Sequence, residues 1–276
     1  MKGMRIDMKL GIQLYSVRDD AARDLPGTLR EIAEMGYDGV ELAGLYGKTA
    51  EEVRDLAQEV GLTIISAHVG LAEFRQGVAE TVARYRTAGC RYIAIPHLAA
   101  EDRPDGANFP QVQKEIAAIA EECAKQGLTL LYHNHDFEFA KLPDGRTELE
   151  ALYACAPETL LQTEIDVCWV NIVGEDPAAL LRKYARRAPL VHLKDSVGDR
   201  SAEHYESLGI DHRPAPDAIP FSFRTVGDGT VDIPAVIAAA KEAGASWLIV
   251  EEDEPAEGQT AMESARLSAQ YVRPIL

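Results

Sequence analysis

Short apolar runs alternate along the chain with longer segments that place apolar residues at helical spacing. Each of eight runs has the length of a buried strand and ends at polar residues, and several helical segments close at a glycine, such as Gly36, Gly61 or Gly127. The polar ends follow one another at intervals of about 25 to 36 residues except before the last. This alternation predicts an α/β fold with eight parallel strands closed into a (β/α)8 (TIM) barrel, with a doubly wound open sheet as the alternative. The predicted strands are 9–15, 38–42, 62–67, 91–95, 128–132, 160–165, 190–193 and 246–250.

The segment after the seventh predicted strand departs from this spacing. Residues 196–229 are rich in proline and histidine and form an insertion before the next helix. We expect a single domain over residues 1–276 that carries this insertion over its active face. It is either a lid or substrate-contacting arm, or else a mobile or dimer-facing loop. Elsewhere, the segment 71–88 is predicted to form one continuous helix.

Four of the predicted strands end in side chains that bind metals. These side chains are His133, Asp166, His192 and Glu251, and in a barrel the carboxyl ends of all strands meet in one ring. Two imidazoles and two carboxylates suit Mn²⁺, Zn²⁺, Fe²⁺ or Co²⁺ better than Mg²⁺ or Ca²⁺, which prefer oxygen ligands. The sequence therefore predicts one divalent metal ion at this ring. His135, two residues beyond His133, is the alternative ligand from its strand.

Charge and cysteine usage narrow the class of protein. The formal net charge is −17, which would repel a phosphate backbone and so disfavours nucleic acid as a partner. Four scattered cysteines form no Cys-x-x-Cys pair and indicate neither a disulfide framework nor a thiolate zinc site. Neither a membrane span nor an export signal is evident in the sequence. We expect a soluble, cytoplasmic protein that does not bind membranes.

Motifs at the strand ends carry a resemblance over nearly the whole chain. They are GIQLYSVRD, GYDGVEL, SAH, YHNHDFEF, EIDVCWVNI, VHLKDS, VGDGTVDIPAVI and VEEDEP. Together they resemble the xylose-isomerase-like barrel superfamily, which includes sugar (phosphate) isomerases and epimerases, inosose dehydratase, and the endonuclease IV type of DNA-repair enzyme. The combination is fairly specific for the superfamily and poorly specific for the reaction.

The resemblance implies a set of metal ligands. Isomerases and epimerases of the superfamily take Glu, Asp, His and Glu from strands five to eight, which match His133, Asp166, His192 and Glu251 here. The first glutamate is thus replaced, with His133 preferred to His135 as its substitute. Because epimerases use both glutamates as an acid–base pair, the strand-five side would need His133 or His135 as the proton carrier, or the reaction would use a single base. As catalytic residues we name His135 and Glu251. Lys194 is expected to stabilise an oxyanion or hold a substrate hydroxyl, or else to form a surface ion pair with its neighbour.

Further residues at the strand ends are candidates for binding the substrate. His68 and His97 match positions that bind extra zinc in the endonuclease branch, but Trp169 stands where that branch has a histidine. The two histidines are therefore expected to contact substrate hydroxyls, or else to form structural hydrogen bonds. Trp169 would offer a face for a sugar ring, or else pack in the core. The remaining candidates for a polar pocket are Glu41, Gln13 and Tyr15, and Glu41 is the strongest because a buried carboxylate needs a partner.

The expected activity follows from the resemblance. We expect a metal-dependent sugar isomerase or epimerase that abstracts a proton next to a carbonyl and passes through an enediolate. The first alternative is a lyase or hydrolase that acts on a keto-inositol or 3-keto-glycoside, favoured by His133 in place of glutamate. A non-catalytic carbohydrate sensor and a DNA-repair endonuclease are the more distant alternatives. The expected partner is a sugar or cyclitol, with a homodimer possible.

Overall fold

A computed structural model of the chain describes residues 8–210 and 212–276. Residues 1–7 and residue 211 lie outside the described residues. The expectation of no export signal partly rests on residues 1–7, and residue 211 belongs to the predicted insertion. Eight parallel strands form a nearly closed barrel, in the order β3-β2-β1-β10-β7-β6-β5-β4. A parallel bridge between His68 and Ala94 joins the two outermost strands. The predicted (β/α)8 fold is confirmed.

The strands and helices have the following bounds. The barrel strands are β1 (Lys9–Gln13), β2 (Gly39–Leu42), β3 (Thr63–Ala67), β4 (Tyr92–Ile95), β5 (Thr129–His133), β6 (Leu161–Asp166), β7 (Leu190–Leu193) and β10 (Trp247–Val250), and an antiparallel hairpin consists of β8 (Asp195–Val197) and β9 (Ser222–Arg224). The helices are α1 (Arg18–Glu34), α2 (Ala50–Glu59), α3 (Leu71–Phe74), α4 (Val78–Ala88), α5 (Phe109–Lys125), α6 (Glu148–Tyr153), α7 (Val167–Ile172), α8 (Pro177–Lys183), α9 (Ala202–Ser207), α10 (Ile233–Ala243) and α11 (Ala261–Val272).

Side chains alternate between the two faces of each barrel strand. Those facing the helices join the large core, whereas an inner apolar cluster fills the barrel axis. The inner cluster consists of Ile65, Tyr92, Ala94, Leu131, Leu190 and Ile249, with Trp247 packed against it. One or two residues further along several of these strands, the inward positions become polar. The barrel therefore has an apolar floor below a polar layer at the carboxyl ends of its strands.

The helices of the structure differ from the prediction at two places. The single helix expected over 71–88 is two helices, because α3 ends at Phe74 and Gly77 takes the N-cap position of α4. Helix α7 was not predicted at all. It begins directly after β6 because the Asp166 carboxylate accepts hydrogen bonds from the backbone N–H groups of Cys168 and Trp169. This cap fixes Trp169 beside the strand ends.

No helix in the described ranges is both long and apolar enough to span a membrane.

Candidate active site

Four of the predicted residues come together at the carboxyl ends of β5, β6, β7 and β10. His133, Asp166, His192 and Glu251 are all buried, and each offers one ligand atom within 4.8 Å of those of the others. We call these residues the upper quartet. His133 Nε2 lies 4.0 Å from Asp166 Oδ2, and His192 Nδ1 lies 3.1 Å from Glu251 Oε2. The four strand ends thus converge as the barrel geometry requires.

The donor set of the upper quartet fits a divalent ion. Asp166 Oδ2 is buried and has no hydrogen-bond partner, although its other oxygen caps α7. Buried polar atoms are rarely left without a hydrogen bond, and the Lys194 ammonium, 3.5 Å from Asp166 Oδ2, forms an ion pair with this oxygen but no hydrogen bond. Two imidazoles and two carboxylates that leave this oxygen open suit a divalent ion. His133 is suited to ligation because burial lowers its pKa to about 3, which keeps the imidazole neutral at pH 7.

The environment of Lys194 differs from one of the two expected for it. The alternative of a surface ion pair is wrong, since the side chain is 1% exposed and its Nζ lies 3.0 Å from Glu251, 3.0 Å from Asp253 and 3.5 Å from Asp166. Burial disfavours the ammonium, but these carboxylates outweigh that effect and hold the pKa of Lys194 well above its usual value. Burial opposes ionisation of Glu251 as well, and Lys194 and His192 nevertheless hold its pKa well below the usual range.

A second layer of carboxylates lies beneath the upper quartet. Glu164, two residues before Asp166 on β6, accepts a hydrogen bond of 2.7 Å from His68 and lies 3.4 Å from His133 Nδ1. Glu41 accepts hydrogen bonds from His192 Nε2 at 2.7 Å, from the Gln13 amide at 2.8 Å and from the Ser66 hydroxyl at 2.5 Å.

Glu41 was expected to complete a polar pocket, but these contacts hold it beneath the cavity. Its carboxylate is fully buried and is absent from the cavity wall, and Gln13 is equally buried. Burial and the nearby Glu164 raise the pKa of Glu41. The pKa of His192 is raised by its neighbours, not by burial. Burial lowers its pKa, but Glu164, Glu41 and Glu251 surround the ring and raise the pKa well above the ordinary value.

The lower layer offers a second set of possible ligands. Ligand atoms of His68, His133, Glu164 and His192 also lie within 4.8 Å of one another. In this set, however, His68 already donates to Glu164, and the His68 and His192 rings stack with centroids 5.3 Å apart. Both sets share His133 and His192. Glu164 lies near Nδ1 of His133 and Glu41 near Nε2 of His192, whereas Asp166 and Glu251 lie near the other nitrogen of each ring.

A cavity of about 430 Å³ opens above these residues, and we call it the central cavity. Its wall includes several predicted residues: Tyr15, His68, His97, His133, His135, Lys194 and Glu251, together with Ala43, Pro96 and Asp253. Tyr15 is 43% exposed and His97 is exposed, so both lie near the opening. His135 Nδ1 is buried without a hydrogen-bond partner. Burial and the neighbouring His133 lower the pKa of His135 well below its usual value.

Trp169 lies beside the central cavity and contacts the insertion. It is 4% exposed, and its ring centroid is 5.3 Å from that of His135 and 5.7 Å from that of Phe223. The insertion is held over this face by Asp136, which follows β5. The Asp136 carboxylate accepts a hydrogen bond of 2.7 Å from His204 and lies 3.4 Å from the Arg200 guanidinium.

The glycine turn at 227–229 binds an internal carboxylate. Backbone N–H groups of Gly227, Gly229 and Val231 donate to Asp195 at 3.0 to 3.1 Å. A Cβ at Gly229 would come within 2.1 Å of the Asp195 carboxylate, so only glycine fits there. The side chain of Asp195 therefore fills the turn and anchors the end of the insertion.

Sequence reasoning missed two residues of the site. Glu164 belongs to the run LLQTEID, and the alternation of a strand places it on the same face as Asp166. This alternation is the sequence signal for Glu164, although a single charged residue within an apolar run does not by itself indicate a site. Asp253 follows the last strand, and no periodicity could predict that its carboxylate reaches Lys194.

A match to a known protein family identifies the class of protein. A family described as xylose isomerase-like TIM barrel matches residues 29–271. The chain belongs to this family, and so to a superfamily of enzymes that includes isomerases, epimerases and inosose dehydratases.

Individual proteins of known sequence or structure are similar to this chain at 15 to 24% identity. An inosose dehydratase from Geobacillus kaustophilus is 24% identical over 297 residues, which cover 96% of this chain and 93% of that protein. The crystal structure of a sugar phosphate isomerase/epimerase from Parabacteroides distasonis superposes with a TM-score of 0.75 and 21% identity, covering 99% of this chain and 96% of the other. The structure of the IOLI protein with a bound zinc atom has a TM-score of 0.69 and 15% identity, covering 97% and 98%. At these identities the structural likenesses show a shared fold.

Proposed function

We propose that this protein is a divalent-metal-dependent sugar isomerase or epimerase that removes a proton from the carbon next to a carbonyl group. The observation that carries the proposal is the upper quartet beside the buried Lys194 ammonium, which lies 3.0 Å from Glu251. A metal site and a fixed positive charge on one wall of a small polar cavity suit the stabilisation of an enolate oxygen.

His133, Asp166, His192 and Glu251 would hold the ion. The mixed nitrogen and oxygen set favours Mn²⁺, Zn²⁺, Fe²⁺ or Co²⁺, and the zinc atom described for the IOLI protein supports a metal in this fold. When bound, such an ion supplies a Lewis acid that polarises the substrate carbonyl and its neighbouring hydroxyl.

His135 and Glu251 would move the proton. His135 lines the central cavity and its Nδ1 has no hydrogen-bond partner, so we assign to this imidazole the removal of the proton from carbon. Glu251 lines the same cavity as an ionised carboxylate, and we assign to it the second proton transfer. Lys194 would hold the negative charge that develops on the carbonyl oxygen. Its three carboxylate neighbours keep it protonated and fix its position.

The rest of the wall would bind hydroxyl groups of a sugar or cyclitol. His68 and His97 present polar atoms at the ends of β3 and β4, and Tyr15 contributes a phenol near the opening. Trp169 packs against His135 beside the cavity and is 4% exposed, so only a small part of its ring could contact the substrate.

The second candidate is a lyase that acts on a keto-inositol or a 3-keto-glycoside. Two observations favour it: His133 replaces the strand-five glutamate, and the relative from Geobacillus kaustophilus is an inosose dehydratase. In that reaction the same proton abstraction would be followed by loss of the hydroxyl or glycosyl group one carbon further along. His135 would then give its proton to the departing oxygen.

Solvent isotope exchange separates the two candidates. The purified protein, loaded in turn with each of the four metals, would be incubated in D2O with ketoses and keto-cyclitols. Deuterium next to the carbonyl without a new enone absorbance supports the isomerase or epimerase, and appearance of the enone supports the lyase. No exchange and no enone with any metal would overturn both. His135→Gln should reduce the rate by about 10²- to 10⁴-fold, whereas His212→Gln, at an exposed site of the insertion, should not.

A further inference from the structure

We propose that the insertion builds a second subsite that binds the neighbouring ring of a glycoside, so that the substrate is a keto sugar linked to another sugar unit. This inference rests on the proposed function, because it assumes that the keto ring occupies the central cavity. It adds the size and class of the substrate.

A second cavity, the outer cavity, lies next to the central one. Its volume is about 830 Å³, compared with about 430 Å³ for the central cavity. Asp253 lines both cavities, and the Lys194 ammonium lies between them, 3.0 Å from Glu251 and 5.1 Å from the Trp169 ring. The two cavities therefore adjoin at Asp253, and the proposal places the link between the two rings of the substrate there.

The outer cavity has aromatic walls. Trp169 and Phe221 lie nearly parallel, with ring centroids 6.3 Å apart and an interplanar angle of 21°, and Phe223 stands almost perpendicular to both. Both phenylalanines are partly exposed and belong to the insertion. The two phenylalanines present apolar faces to the C–H groups of a sugar, whereas Trp169 is 4% exposed and packs against them.

The polar groups of the outer cavity carry both signs of charge. Arg200 lies 4.4 Å from the Phe221 ring centroid and Arg224 lines the same cavity, while Asp253, Glu254 and Glu257 line it with carboxylates. With two guanidinium groups against three carboxylates, the wall gives an anionic group such as a phosphate no net attraction. A purely apolar group would meet charged side chains along much of the wall. A neutral ring with many hydroxyls satisfies both the aromatic faces and the charged side chains.

Contacts with the barrel hold the insertion, and with it the phenylalanine rings of the outer cavity, in place. The hairpin of β8 and β9 carries Phe223, and Asp136 holds the opposite side of the insertion through His204 and Arg200. Asp195 anchors the hairpin to the 227–231 turn through three backbone N–H groups. The aromatic residues are therefore attached to the barrel at two separate places.

The test compares probes that differ by one sugar ring. Binding to the metal-loaded protein would be measured by calorimetry for D-fructose against turanose and lactulose, and for 3-keto-glucose against 3-keto-cellobiose. We expect the two-ring member of at least one pair to bind about tenfold more tightly. Phe221→Ala combined with Phe223→Ala should reduce this ratio to about threefold or less. Ile219→Ala, on the same insertion but 64% exposed and outside the outer cavity, should preserve it.

The outcomes separate this inference from the proposed function. If single rings exchange deuterium and bind as tightly as the two-ring probes, the subsite is overturned and the proposed function stands. If two-ring probes bind through Phe221 and Phe223 but nothing exchanges, the subsite stands and the proposed reaction fails. Equal loss of the preference in Ile219→Ala would also overturn the subsite, because the effect would then belong to the insertion as a whole.

Discussion

His192 and Glu41, 151 residues apart in the chain, form a buried hydrogen bond of 2.7 Å from Nε2 to a carboxylate oxygen. The other ring nitrogen, Nδ1, faces Glu251 at 3.1 Å. His133 lies between two carboxylates as well, with Nδ1 3.4 Å from Glu164 and Nε2 4.0 Å from Asp166, although Nδ1 makes no hydrogen bond. Each imidazole of the upper quartet therefore has one nitrogen that faces a lower carboxylate and one that faces a carboxylate of the quartet, which resembles the orientation of metal-binding histidines in proteins.

We expect Glu41→Gln and Glu164→Gln each to weaken metal binding by about 10- to 100-fold, because the imidazoles would lose the carboxylates that orient them and increase their basicity. Affinity would be measured by competition with a chromophoric chelator, without any substrate. Glu59→Gln, an exposed carboxylate on α2, is the matched control. Unchanged affinity in both buried variants would show that the lower layer serves another purpose.

Metal content should identify the ligands. Protein purified without chelator is expected to carry about one divalent ion per chain, and Asp166→Asn and His133→Ala should each lose it because both remove a donor from the upper quartet. His135→Ala should retain it, and Asp144→Asn, at a half-exposed surface position, is the control. Elemental analysis by mass spectrometry gives the number directly. Two ions per chain would instead indicate that the lower set of ligands is occupied as well.

Lys194→Met should destabilise the metal-free protein by about 3–5 kcal/mol, because it leaves buried carboxylates without the charge that neutralises them. Lys183→Met removes an exposed ion pair with Glu150 and should cost about 1 kcal/mol or less. Urea unfolding in the presence of chelator compares the two. Similar losses would mean that Lys194 does not neutralise the buried carboxylates.

Much of the barrel and part of the site follow from the local pattern of the sequence. The strand ends at His133, Asp166, His192 and Glu251 were predicted because each polar residue terminates an apolar run, and the barrel fold then brings them together. The environment of Lys194 was not predictable, since Asp253 reaches it across 59 residues of chain. The same holds for Glu41, whose partners Gln13, Ser66 and His192 come from three different strands. Side-chain pairing across a barrel depends on register and stagger, which a single strand does not encode.

The buried carboxyl group of Glu138 makes a pH-dependent contribution to stability. It accepts hydrogen bonds of 2.7 Å from the Tyr132 hydroxyl and from the backbone N–H of His135, yet burial outweighs them and raises its pKa to about 8 from an ordinary 4.5. The folded protein thus retains a proton that the unfolded chain releases. This contribution is fully present below about pH 4.5 and is lost as the pH rises toward 8.

Glu138→Gln should remove this dependence while keeping both contacts, because an amide can accept from His135 and donate to the Tyr132 oxygen. Between pH 5 and 8 the wild type should lose up to about 1.4 kcal/mol of unfolding free energy per pH unit relative to the variant. Urea titrations in chelator, with the exposed Glu158→Gln as control, would measure that difference. A constant difference across this range would mean that Glu138 is ionised in the folded protein, and that its two hydrogen bonds outweigh the cost of burial.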